Sequence, residues 1–284
     1  MHNNIHVFTE AFVPIKVLLL SDIHWDSKYC RRDILKKHLD EAVSQGCTIL
    51  FNGDTFDLMG GNKDYRGSKT DLRPEFKCDN YFDEIVNQAI EWFSPYAANI
   101  KMIGVGNHEV SVSKNNEIDI LDRFVKGLNA ANGTNTQLGG YGGWVVFKFK
   151  ENRRIASYRI KYHHGLSGGT KGINAFSKMA TYVSNADMIW QGHIHEDYEM
   201  SFVEERISTE NNVHLKDVIM IRTSTYKDEY YDQTKGLHNY SGWANMRGHN
   251  PRFIGGRWLE LQPIRHHRNN HEELKVLAKT YKTL

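Results

Sequence analysis

The chain reads as an α/β fold on three observations. Its first half alternates short apolar runs with segments of helical periodicity. Those runs are continuous, as strands buried on both faces are. From Trp144 onward the pattern shifts toward alternating strands. The first run, residues 15–20, predicts a core strand. Residues 31–44 then place Ile34, Leu35, Leu39, Ala42 and Val43 at helical spacing, ahead of Gly46 and a second run at 48–51. Residues 81–92 repeat the pattern with Phe82, Ile85, Val86, Ala89 and Ile90, before a third run at 102–105. These are βαβ units, and such units gather ligands at the carboxyl ends of their strands. Further strands are expected at 158–160 and 188–190. Segments 144–149 and 213–222 predict a second, more antiparallel sheet.

Composition limits the function classes. At 284 residues and 40% apolar content the chain can bury a large core, and one domain over 1–284 with insertions near 59–77 and 226–258 is the economical expectation. A net charge of +2 gives no strong pull toward nucleic acid or acidic membranes. Cys30, Cys47 and Cys78 form an odd set without metal-type spacing, which predicts free thiols, a reducing compartment and a cytoplasmic location. The run at 15–20 is far shorter than the ~20 residues needed to span a bilayer, and no basic flank precedes it, so neither a membrane partner nor a targeting segment is expected.

Chemistry concentrates in five clusters, each where an apolar strand should end. They are Asp22-Ile23-His24, Gly53-Asp54, Gly106-Asn107-His108-Glu109, His163-His164-Gly165 and Gly192-His193-Ile194-His195. Two divalent cations about 3.5–4 Å apart can hold the attacking and leaving oxygens of an in-line displacement. They repel each other, so a carboxylate must bridge them, and Zn, Mn or Fe accept imidazole beside carboxylate and amide oxygen. Mg or Ca would call for oxygen ligands almost throughout, and a closed structural zinc site for cysteine. Singly, each of these residues has an ordinary reading as a structural histidine or as turn chemistry. Jointly, five compatible clusters after five apolar segments point to a metal-dependent phosphoesterase. The other nine histidines match no motif and read as solvated or structural.

In this order the clusters resemble the calcineurin-like metallophosphoesterase superfamily, from about Lys16 to His195. The resemblance implies a four-layer sandwich, two mixed β-sheets flanked by helices. It implies that Asp22, His24 and His195 bind one metal, that Asn107, His193 and His164 bind a second, and that Asp54 bridges the two. His164 is favoured because it stands before glycine; His163 is the alternative. The cofactors implied are two divalent ions, Mn, Fe, Zn or Ni. His108 resembles the general acid that protonates the leaving oxygen, a task for which imidazole suits. Asp57 matches the carboxylate that orients this histidine in the protein phosphatase branch. That branch carries a phosphate-gripping arginine next, where this chain has Leu58, so a protein phosphatase loses weight.

The expected reaction is attack of a metal-bound hydroxide on a phosphate ester. A phosphodiesterase or nuclease acting on nucleotide or nucleic acid leads, a phosphomonoesterase follows, and a non-catalytic scaffold of the same fold is the alternative of another class. Three stretches are candidates for substrate choice. Residues 59–77 carry Lys63, Tyr65, Arg66, Lys69 and Arg73. Residues 165–172 are glycine-rich but fail the Walker pattern. Residues 226–258 are dense in aromatics and cations that can stack bases, although such residues more often simply pack.

Overall fold

Val17, Leu18, Leu19 and Leu20 are all fully buried, because the strand β2 that carries them is covered on both faces. In the computed structural model, which describes residues 4–59, 72–165, 178–208, 211–231, 242–268 and 271–284, the chain forms two mixed six-stranded sheets flanked by helices. The strands are β1 (Ile5–Ala11), β2 (Ile15–Leu20), β3 (Thr48–Asn52), β4 (Ile100–Gly104), β5 (Gln137–Leu138), β6 (Gly142–Glu151), β7 (Arg154–His163), β8 (Met188–Gln191), β9 (Tyr198–Ile207), β10 (Val213–Arg222), β11 (Arg257–Arg268) and β12 (His271–Lys282). One sheet runs β12-β11-β2-β3-β4-β5 and the other β1-β6-β7-β8-β10-β9.

Strand alternation sorts the apolar side chains between two layers. Val17, Leu19, Leu50 and Met102 meet Val145, Phe147, Ile160 and Trp190 of the opposite sheet. Leu18, Leu20, Ile49 and Phe51 point the other way, toward helices α1 (Arg32–Ser44), α2 (Tyr81–Phe93) and α4 (Ile120–Asn132). The helices answer with Leu35 and Leu39, with Ile85, Val86 and Phe93, and with Phe124 and Leu128. Helix α3 (Asn107–Asn116) starts in a candidate ligand.

The parallel order β2-β3-β4 follows from the βαβ units in the sequence. Two arrangements had no local signal. β1 precedes β2 and pairs in parallel with β6 of the other sheet. The hairpin β11-β12 returns from the C-terminal region to lie antiparallel against β2. The second sheet mixes antiparallel β6-β7 and β9-β10 with parallel β7-β8-β10.

The described end of the 59–77 stretch is packed. Leu72 and Phe76 are buried, and Phe76 lies 5.7 Å from Trp25 between ring centroids. Lys63, Tyr65, Arg66, Lys69 and residues 166–172 lie outside the described residues. Within 226–258, Tyr226 and Trp258 are core residues, and Arg252 pairs with Glu196. Among the described residues no helix is long and apolar enough to cross a membrane. Cys30 and Cys47 are buried free thiols and Cys78 an exposed one.

Candidate metal centre

Backbone pairing continues beyond the ends of β2 and β3, and this carries the first clusters into one place. Asp22 N–H donates to Gly53 O (3.0 Å), His24 N–H to Asp54 O (3.0 Å) and Trp25 N–H to Thr55 O (2.9 Å). From the opposite sheet, Gly192 N–H donates to His164 O at 2.8 Å. The two sheets are tied at this end by Asn52, whose Nδ2 donates to His163 O and to Trp190 O, each at 3.3 Å. Ser21 Oγ and Thr223 Oγ1 add a buried link at 2.6 Å.

Five of the residues brought together hold left-handed backbone: Asp22 (φ 52°), His24 (50°), Asp54 (50°), His193 (74°) and His195 (60°). Positive φ is uncommon outside glycine, and each instance costs roughly 1–3 kcal/mol, a cost that clusters at functional sites. Close backbone approach adds to the constraint. A Cβ on Gly106 would strike the Asp54 carboxylate, and one on Gly192 would strike that of Asp22.

The side chains form two groups that share a wall. In the first, His195 Nε2 lies 3.4 Å from Asp22 Oδ1 and 3.1 Å from His24 Nε2. In the second, His164 Nε2 lies 3.1 Å from both Asp54 Oδ2 and Asn107 Oδ1, and His193 Nδ1 lies 2.7 Å from the same Asn107 oxygen. Asp54 Oδ2 is also 4.0 Å from His24 Nε2. Ligands about 2.0–2.2 Å from one cation stand about 3.0–3.5 Å from each other, so most of these spacings suit edges of a coordination shell. The histidine and aspartate groups could therefore hold metal ions.

His164 rather than His163 faces this cluster. Its Nδ1 donates to Asn52 O at 2.7 Å, which turns Nε2 toward the carboxylates. Burial opposes charge on His164, but Asp54 and Asp22 overcome it and raise its pKa to about 10. His163 instead accepts from Gly165 N–H at 3.1 Å and packs edge-on against Tyr141; burial and the neighbouring His164 lower its pKa to about 4. Burial likewise opposes ionisation of Asp54, yet His164 and His108 hold its carboxyl well below the usual range.

Asp57 departs from the expected pairing. Its carboxylate Oδ1 lies 2.9 Å from His24 Nδ1 and accepts from Lys227 Nζ at 2.8 Å, whereas His108 Nδ1 is 4.0 Å away. His108 donates instead to the Asp57 main-chain carbonyl. Lys227 draws the carboxylate because its own charge is buried and needs an anion; Glu229 is its second partner at 3.0 Å. A third possible metal group, His24, Asp57 and His108, is thereby already served by an ammonium.

Three supporting residues escaped the sequence reading. Lys227 and Glu229 sit some 170 positions beyond Asp57 and carry no local mark. Glu109 stood inside a motif, and its signal was its place three residues after Gly106, the residue that caps α3, from which a carboxylate can reach back. It accepts from Gly106 N (2.8 Å), Asp54 N (3.2 Å) and Phe56 N (3.0 Å). Burial and the Asp54 charge push its carboxyl up to about 7. Glu109→Gln leaves one acceptor oxygen and adds a donor facing backbone N–H groups. It is expected to cost about 1–3 kcal/mol in urea unfolding and to loosen metal retention; an unchanged midpoint would show that the loop does not depend on this carboxylate.

No family model and no curated protein matches the chain. Solved structures give distant likenesses. A conserved protein of Streptococcus pneumoniae described as a predicted phosphoesterase is 12% identical, with 96% of this chain and 100% of that one covered and a TM-score of 0.33. GAP50 of Plasmodium, described as an anchor in the inner membrane complex, is 13% identical over 95% and 88% of the two chains, TM-score 0.47. Vps29 of Entamoeba histolytica, complexed with zinc, is 10% identical over 94% and 99%, TM-score 0.31. With these scores below 0.5, the likenesses carry no part of the functional argument, which rests on the residues themselves.

Proposed function

We propose that this chain is a metal-dependent phosphoesterase of the calcineurin-like superfamily, acting on phosphodiesters of nucleotides or nucleic acid. The observation that carries the reading is the convergence of Asp22, His24 and His195 with Asp54, Asn107, His164 and His193 at the ends of the central strands, with Asp54 adjoining both groups. A donor set of imidazole, carboxylate and amide suits Mn, Fe, Zn or Ni. When bound, two such cations supply charge neutralisation and a water ionised near neutral pH.

The chain's own residues do the rest. Asp22, His24 and His195 would hold one ion and Asn107, His164 and His193 the other, with the Asp54 carboxylate available to both. Asp57 orients His24 through Nδ1, leaving Nε2 to face the centre. His108 stands beside Asp54, Nε2 4.0 Å from Oδ2, and protonates the leaving oxygen. Its side chain retains 12% exposure, which leaves it reachable by substrate. The absence of an arginine after Asp57 favours diesters, whose single negative charge needs less cationic grip than a monoester dianion.

Chelator-stripped protein with Mn, Ni, Zn or Mg restored is the test, with bis-p-nitrophenyl phosphate set beside p-nitrophenyl phosphate. Faster diester cleavage is expected. Faster monoester cleavage would make the protein a phosphomonoesterase, and silence on both with no metal bound would make it a scaffold.

A further inference from the structure

Behind the loop that carries His24 lies an open cavity of about 370 Å³ whose charged walls are Lys28, Arg31, Arg32 and Arg73 on one side of the balance and Asp33 and Asp228 on the other. Its chemistry is unequal. Arg31 is spent on Asp33, with Nε and Nη2 donating at 2.9 and 2.7 Å. Arg32 lies over Trp25, its Cζ 3.8 Å from the ring centroid, with Glu75 3.5 Å from Nη1. Arg73 has no carboxylate partner among the described residues. Its Nε donates to Ser27 O at 3.0 Å and its Nη2 to Cys30 O at 2.9 Å, so neutral carbonyls fix the guanidinium while leaving its charge unmatched among the described residues. Fixed in this way, it is preorganised to receive an anion, and the guanidinium fork matches phosphate geometry.

The cavity adjoins the candidate metal centre. Segment 29–31 pairs with 226–228 through Arg31 N–H to Tyr226 O (2.8 Å) and Asp228 N–H to Tyr29 O (2.9 Å). Lys227 of that segment reaches Asp57, while its neighbour Asp228 lines the cavity. One stretch of backbone therefore separates the two. The volume falls in the roughly 300–1,000 Å³ range of small-molecule sites.

We propose that this cavity binds a phosphate of the substrate other than the one cleaved, which makes the substrate class a nucleotide or nucleotide chain bearing at least two phosphates. The inference rests on the phosphodiesterase reading above.

The test compares kcat/KM of the metal-loaded chain on the thymidine dinucleotide TpT with that on its terminally phosphorylated forms, pTpT and TpTp. The wild type is expected to prefer one phosphorylated form by about tenfold, the scale of one charge-assisted contact. Arg73→Met should bring that ratio close to one, and Arg73→Lys, which keeps the charge, should retain most of it. No preference in the wild type, or a preference that Arg73→Met leaves intact, overturns the proposal.

Failure of the phosphodiesterase reading is visible separately, as no cleavage of any dinucleotide or of bis-p-nitrophenyl phosphate. In that case calorimetric titration of thymidine 3′,5′-bisphosphate into the Asp54→Asn chain decides. Binding weakened about tenfold by Arg73→Met sustains the anion site, and no binding, or binding indifferent to Arg73, removes it.

Discussion

Asp54→Asn is expected to lower phosphoester hydrolysis by about a thousandfold and to reduce bound metal. The substitution keeps the shape of the side chain, and its Oδ1 can still accept the His108 N–H that Asp54 receives at 3.0 Å. What it removes is the negative charge adjoining both groups of ligands. At an effective dielectric of about 20, one charge pair at 4 Å is worth about 4 kcal/mol, which corresponds to about a thousandfold. The fold should survive, with the circular dichroism spectrum unaltered. Metal analysis after gel filtration reads the result, and two ions retained at wild-type affinity would sink the bridging assignment.

His108→Ala should separate chemistry from metal binding. The imidazole is held by the Asp57 carbonyl and belongs to neither of the two ligand groups, so its removal should leave the metals in place. General acid catalysis contributes about 10²–10⁴. A loss of that size is expected with an alkyl leaving group, and a much smaller one with p-nitrophenolate, which departs without help. Equal losses on both leaving groups would mean that His108 acts in binding or as a ligand. Loss of metal would mean the same.

Sequence reading reached those features that are local. The runs before Asp22, Asp54 and Asn107 became β2, β3 and β4, since a continuous apolar stretch has few ways to be buried other than as a central strand. Periodicity likewise carried α1 and α2 to within a residue or two of their observed bounds. Contacts between distant positions left no such trace. The Asp57 carboxylate is turned to His24 by Lys227, a residue whose proximity depends on how the chain returns after β10. The same holds for β1, which is not consecutive with its partner β6, and for β11, which closes on β2 from the far end of the sequence. Arg73 was read within a loop, while its partners Ser27 and Cys30 give it a fixed place.

The Asn52 tie across the two sheets has a mechanical consequence. Asp22, Asp54 and Asn107 ride on one sheet, and His164, His193 and His195 on the other, so each group of ligands straddles the seam. Any ion seated there acts as a rivet. Its spacing is gauged by the distance between the slabs, and a slip of one slab against its mate would pull both halves of the centre out of register at once. Aromatic residues packed far from the seam thus share in setting its calibre.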